Sequence, residues 1–185
     1  MQSKSEIRAK IKELKSKLSK SEIQAASSQV KTKIESSLWF KNATHILTYA
    51  SLPDELETSL QLIDWMKTKY VYLPRVNDKN LEILLATETR IGSFNIEEPI
   101  GDNIININNI DLIIVPGVAF DYHGTRIGRG KGFYDRLLSN SNALKIGIGY
   151  DFQVLDKIPS EPHDITMDAI ITPNNFILLN KTPWD

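Results

Sequence analysis

DLIIVPG, residues 111–117, is an unbroken apolar run of strand length, opened by an acid and closed by Pro-Gly. It lacks the polar alternation of a half-exposed strand, so both faces must be covered, as in a parallel sheet sandwiched between helices. Upstream, HILTYA (45–50) and YVYLP (70–74) have the same character. Between them SLPD marks a turn, and a helical stretch is expected from about Glu55 to Lys69, which makes a β–α–β unit. LEILLA (81–86) reads as another strand, and GSFNIEEPIGDNIININNI (92–110) as a Gly- and Asn-rich connection with little periodicity. Downstream, KGFYDRLLSNS looks helical, ALKIGIGY like a strand, and MDAIITPNNFILL like two short strands around a Pro-Asn turn.

The chain opens differently. Ile7, Ile11, Leu14 and Leu18 share one face of an amphipathic helix with Lys and Glu opposite. Ser19 and Glu22 have capping-box spacing and start a second helix through about Leu38, packing by Ile23, Val30 and Ile34. Strands alternating with helices define an α/β fold: a three-layer, Rossmann-like domain with a mostly parallel central sheet and two N-terminal helices packed on it. Its length of 185 residues suits one domain over 1–185, since domains usually run to roughly 100–200 residues.

The absence of cysteine excludes thiolate catalysis, Cys-ligated zinc and disulfides, and fits a reducing, cytoplasmic address. The charged N-terminus lacks the apolar core of a secretory signal, and no apolar run approaches the ~20 residues of a membrane span. A net charge of −1 argues against a general polyanion binder. Residues 121–136 depart from that balance, with Arg126, Arg129, Lys131 and Arg136 against Asp121 and Asp135.

In α/β sheets ligands gather at the carboxyl ends of strands, which here carry YASLPDELET (49–58) and PGVAFDYHGTRIGRGKGFYD (116–135). Gly128, Gly130 and Gly132 let backbone N–H groups approach a bulky anion and form a concave nest. A helix starting near Lys131 or Gly132 would add its positive end, and Arg126, Arg129 and Lys131 suit phosphate oxygens. Asp135, one turn on, suits a divalent metal bridging them. The spacing is neither GxxxxGK[ST] nor GxGxxG, so the loop points to phosphate without naming a nucleotide fold; the alternative is a surface turn with solvated cations.

PGVAFDYHGTRIGRGKGFYDRLL (116–138) closely resembles the signature of the 5-formyltetrahydrofolate cyclo-ligase family. KSEIR, YASLPDELET, VYLPRV, GSFNIEEP and IGYDFQVLDKIPSEPHDITMDAIIT are similar to family segments in family order. Phe133 stands where many relatives have Tyr, and residues 101–110 match no family segment. The resemblance implies an ATP- and Mg²⁺-dependent closure of 5-formyltetrahydrofolate to 5,10-methenyltetrahydrofolate, with ADP and phosphate released. Carried over by residue, it places ATP on Lys4, Arg8 and Arg126, Ile127, Gly128, Arg129, Gly130, Lys131, Gly132, Phe133 and Tyr134. Lys131, with Arg129, would neutralise the transferring phosphoryl group. The folate would meet Ala50, Glu55 and the stretch Arg129, Gly130, Lys131, Gly132, Phe133, with Tyr49 as nearby wall; Asp135 and Asp164 would hold Mg²⁺. No nucleic-acid, membrane or obligate protein partner is implied.

Each residue also has a structural reading. Lys4 and Arg8 suit the solvent face of a helix, Glu55 and Glu57 the first turn of one, and Asp135 the start of another. Asp164 suits a turn cap. His45, on a strand among apolar residues, reads as packed, and with His123 and His163 the only other histidines there is no zinc motif and no nucleophile elbow. Two other functions fit the same residues: a binding protein that lost turnover, or an α/β relative acting on sugar phosphates or acyl groups.

Overall fold

The computed structural model describes residues 2–92 and 95–179. Helix α1 (Lys4–Lys15) is opened by a capping box between Ser3 and Glu6, and α2 (Lys20–Ser36) by the expected one between Ser19 and Glu22. Leu18 falls in the link between them and packs with α2 rather than continuing the face of α1. The second helix stops short of Leu38: Ser37 is extended at ψ 147°, and its hydroxyl caps a separate short helix, α3 (Leu38–Asn42).

The central sheet has seven strands. They are β1 (His45–Leu47), β2 (Tyr70–Asn77), β3 (Asn80–Leu85), β6 (Leu112–Pro116), β9 (Leu144–Ile148), β11 (Ala169–Ile171) and β12 (Phe176–Leu178), in the order β12-β11-β9-β6-β1-β2-β3. The five inner strands are parallel, and β3 and β12 close the edges antiparallel. DLIIVPG supplies β6, whose side chains leave alternately to two cores. Leu112 and Ile114 join Ile46, Ile146 and Trp65 under α2, α3 and α4 (Ser59–Trp65), whereas Ile113 and Val115 join Leu47 and Leu138 under α5 (Phe133–Leu138). That double burial is the reason the run shows no alternation. No helix among the described residues is long and apolar enough to cross a membrane.

Two regions differ from expectation. The helix foreseen from Glu55 to Lys69 begins only at Ser59 and ends at Trp65, because residues 49–58 form a pinned arch instead. Thr58 donates its hydroxyl to the Tyr49 carbonyl at 2.5 Å, and Glu55 turns back to accept from the Leu52 amide at 3.0 Å. Glu55 and Glu57 therefore complement no helix dipole. The 92–110 connection is also more ordered than its composition suggests: β4 (Thr89–Ile91) pairs antiparallel with β5 (Glu97–Pro99), and a 3-10 turn covers Ile107–Asn109. Ser93 and Phe94 of that segment lie outside the described residues.

The stretch after β6 forms a three-stranded sheet of β7 (Ala119–Asp121), β8 (Arg126–Ile127) and β10 (Val154–Leu155). Its Phe120 ring is fully buried and occupies space that side chains at Gly117 and Gly147 would fill, where an added Cβ would lie 2.4 Å from ring carbons. Burying one such ring stabilises by about 1.5–3 kcal/mol and fixes the small sheet against the large one. Helix α1 lies over the small sheet, with Ile7 and Ile11 against Ala119, Ile127 and Ile158.

Candidate active site

The carboxyl ends of β1, β2 and β6 open into a cavity of about 550 Å³. Tyr49, Ala50 and Glu55 come from the arch after β1, Pro74 and Val76 from β2, and Pro116 and Gly117 from the end of β6. Residues 126–135 form the opposite wall, and Lys4 and Arg8 on α1, with Asp164, close one side. All the residues that the resemblance assigned to ATP, folate or Mg²⁺ therefore border one space. His45 stands apart, its Nδ1 2.9 Å from the Tyr72 hydroxyl, and His123 sits exposed on the β7–β8 turn.

The glycine loop is held from both ends. Gly130 and Gly132 take φ of +98° and +66°, in the left-handed region that favours glycine. Gly128 serves differently: its φ is not positive, but a Cβ there would meet Arg126 Nη1 at 2.8 Å. Arg8 Nε donates to the Gly128 carbonyl at 2.8 Å, and Arg136 Nη2 to that of Lys131 at 3.1 Å. Helix α5 starts at Phe133 and spans six residues, so the cations and loop amides, more than a helix dipole, supply the positive character.

The cations differ in their engagement. Arg126 is a β8 residue only 5% exposed; its Nη2 reaches Asp135 Oδ1 at 2.8 Å, its Nη1 the Pro116 carbonyl at 3.2 Å, and its Nε has no partner among the described residues. Arg129 spans the cavity mouth to Asp54 at 2.7 Å and Glu55 at 3.0 Å. Lys131 is exposed on the cavity wall. Lys4 meets Asp164 at 2.7 Å and Glu161 at 3.2 Å; burial opposes its charge, but these carboxylates outweigh that and hold the ammonium above its ordinary range. Burial likewise pushes Asp164 up, while bonds from Lys4 and the Glu161 amide prevail and keep it below the usual carboxylate range. Asp164 is thus both a turn former and a cavity residue.

Asp164 lies in a group with Glu161 and His163 whose ligand atoms fall within 4.8 Å of one another, and Asp135 is outside that group. Among the described residues Asp135 Oδ2 accepts no bond, and Asp164 Oδ1 has only His163 Nε2 at 3.9 Å, so each carboxylate keeps one oxygen for a ligand. Hard oxygen donors of this kind, one or two per ion with water and phosphate completing the shell, fit Mg²⁺.

Sequence reasoning did not single out Asp54, Glu161 or the apolar part of the cavity formed by Pro74, Val76, Leu81 and Ile96. The period-2 pattern of β2 could have found Pro74 and Val76; nothing local marks Ile96.

A covered parallel sheet with a cationic glycine loop at its carboxyl edge and acids across the same cavity defines an α/β protein equipped to bring a phosphate ester to a second ligand. The chain belongs to the 5-formyltetrahydrofolate cyclo-ligase family, whose family model matches residues 1–173. It is 34% identical over 142 residues to the 5-formyltetrahydrofolate cyclo-ligase of Escherichia coli strain K12, covering 70% of this chain and 78% of that one. The Haemophilus influenzae 5-formyltetrahydrofolate cyclo-ligase is 29% identical over 182 residues, covering 92% of this chain and 97% of its own. The NMR structure of Aquifex aeolicus 5,10-methenyltetrahydrofolate synthetase superposes with a TM-score of 0.89 at 33% identity, over 97% of this chain and 94% of that one.

Proposed function

We propose that the chain is an ATP-dependent ring-closing ligase that converts 5-formyltetrahydrofolate to 5,10-methenyltetrahydrofolate with release of ADP and phosphate. The observation that carries this reading is that the cationic loop and the Glu55 arch face one cavity, so a phosphoryl donor and a heteroaromatic acceptor can meet there. A formamide oxygen leaves slowly as water. Once phosphorylated it leaves as phosphate when the neighbouring folate nitrogen attacks the formyl carbon.

Phosphoryl transfer asks a protein for positioning and charge neutralisation more than covalent help. Lys4, Arg8 and residues 126–134 bind the triphosphate, and Lys131, assisted by Arg129, neutralises the group in transit. Glu55, fixed by the Leu52 amide, accepts hydrogen bonds from the pterin, with Ala50 and Tyr49 beside it. Asp135 and Asp164 hold Mg²⁺, which supplies further charge neutralisation to the phosphates. The protein acts as a single domain in the cytoplasm, with no nucleic-acid, membrane or obligate protein partner.

The test follows methenyl product by absorbance together with phosphate, with and without ATP and Mg²⁺. Equal amounts of both, formed only when both additions are present, are expected. Folded protein that binds ATP and yields neither would overturn the reading.

A further inference from the structure

Glu98 on β5 is 5% exposed, yet its carboxylate is nearly unpartnered. Oε1 accepts one long bond, 3.4 Å from the Val76 amide, and Oε2 accepts none among the described residues. The carboxylate packs against Gly92, where an added Cβ would lie 2.1 Å from Oε2, so the β4–β5 hairpin is built around it. It borders the main cavity beside Pro74, Val76, Leu81 and Ile96. Glu98 also borders a second, polar recess of about 580 Å³ that contains Arg90 and Arg75, the latter engaged by Glu82 at 2.7 Å and by the Gly101 carbonyl at 2.8 Å. A buried carboxylate with an open oxygen is costly unless something completes it, and the main cavity, which Glu98 also lines, is where a bound substrate can bring that donor.

Resting on the folate reading above, we infer that Glu98 is a substrate-positioning residue that accepts a hydrogen bond from the N10–H of 5-formyltetrahydrofolate. The pterin end is assigned to Glu55, and the apolar wall of Pro74, Val76, Leu81 and Ile96 suits the aminobenzoyl ring. The N–H between those two parts of the substrate is that of N10, the nitrogen that closes the ring. A bond from its hydrogen to Glu98 turns its lone pair away from the carboxylate and limits its rotation, which favours attack on the formyl carbon.

The test compares binding of 5-formyltetrahydrofolate with that of its 10-deaza analogue, in which carbon replaces N10, to wild type, E98A and E98Q by calorimetry without ATP. Wild type should prefer the parent by about tenfold, the scale of a hydrogen bond to a charged group. E98A should bind the two alike, while E98Q, whose amide oxygen still accepts, should recover most of the preference. ATP affinity, measured in parallel, reports that each variant is folded. An undiminished preference in E98A would overturn the inference, as would an E98Q preference no greater than that of E98A. Product formation by wild type tests the reaction separately. Turnover with an undiminished E98A preference removes Glu98 alone, whereas absence of turnover with a collapsed preference removes the reaction and leaves the contact.

Discussion

Replacing Asp135 by alanine is expected to cost stability as well as metal affinity, because it leaves Arg126 charged and enclosed. The Arg126 side chain is 4% exposed and that of Asp135 21%, with 2.8 Å between them. What remains around the guanidinium is the Pro116 carbonyl at 3.2 Å and the Tyr134 ring at 5.6 Å. Breaking a buried pair from one side costs about 3–5 kcal/mol, and the partial exposure of Asp135 places this case lower, at about 2–3 kcal/mol. At this chain length that is a fall in Tm of about 5–10 °C. Removing both charges, as in Arg126→Met with Asp135→Ala, should recover most of the loss, because neither group is then stranded. Urea unfolding of the two single variants and the double one, followed by tryptophan fluorescence, gives the coupling between them. A coupling below about 0.5 kcal/mol would refute the reasoning and leave Asp135 with a ligand role alone.

Four further outcomes are expected. Lys131→Ala should lower kcat about 100-fold or more with the folate KM within a few-fold, as for loss of a group acting on transition-state charge; an unchanged kcat in single-turnover assays removes that role. Lys15 is buried beside Asp54 and Tyr150, and burial pushes its ammonium below the ordinary lysine range despite Asp54 and Glu55. The folded state therefore binds that proton less well than the unfolded chain, so Lys15→Met should stabilise at pH 7, with the gain fading as pH rises towards the ordinary lysine value; urea titrations at pH 7 and 10 check the sign. Burial pushes Asp151 up, but bonds from Thr172, Asn174 and Asn175 keep it below the usual carboxylate range. Its contribution is thus present above the ordinary aspartate value and lost as pH falls below it, so the stability gap between wild type and Asp151→Asn should narrow from pH 6 to pH 3; a constant gap contradicts this. Gly147→Ala should cost about 1–3 kcal/mol by overpacking against Phe120, and adding Phe120→Leu should restore part of it, read by thermal melts.

The sheet was legible because its inner strands lie in apolar runs buried on both faces: β1, β2, β6, β9 and β11 all arise from such runs. The small sheet was not, since β7 and the two-residue β8 sit in short stretches broken by Asp, His and Gly, with no long apolar run to mark them. That is why Arg126 looked equivalent to Arg129 and Lys131: composition gives one cationic run, while strand pairing to Phe120 turns Arg126 inward. The helix expected from Glu55 begins four residues late: Glu and Leu at 55–57 favour helix, and bonds that close 49–58 on itself, among them Thr58 to the Tyr49 carbonyl and the Leu52 amide to Glu55, override that preference. Glu98 escaped notice for a similar reason. Its segment is polar and irregular in one dimension, and its burial comes from a hairpin folding onto β2.

The contact of Lys4 with Asp164 joins positions 160 apart in the chain, and that of Arg8 with Gly128 positions 120 apart. During synthesis α1 therefore exists long before either partner, with Ile7 and Ile11 lacking the Ala119, Ile127 and Ile158 surface that buries them. Contacts of such separation form late and slow folding. The wall carrying Lys4 and Arg8 is accordingly among the last parts to assemble, and until it docks a nascent chain carries an uncovered apolar helix face open to capture by chaperones.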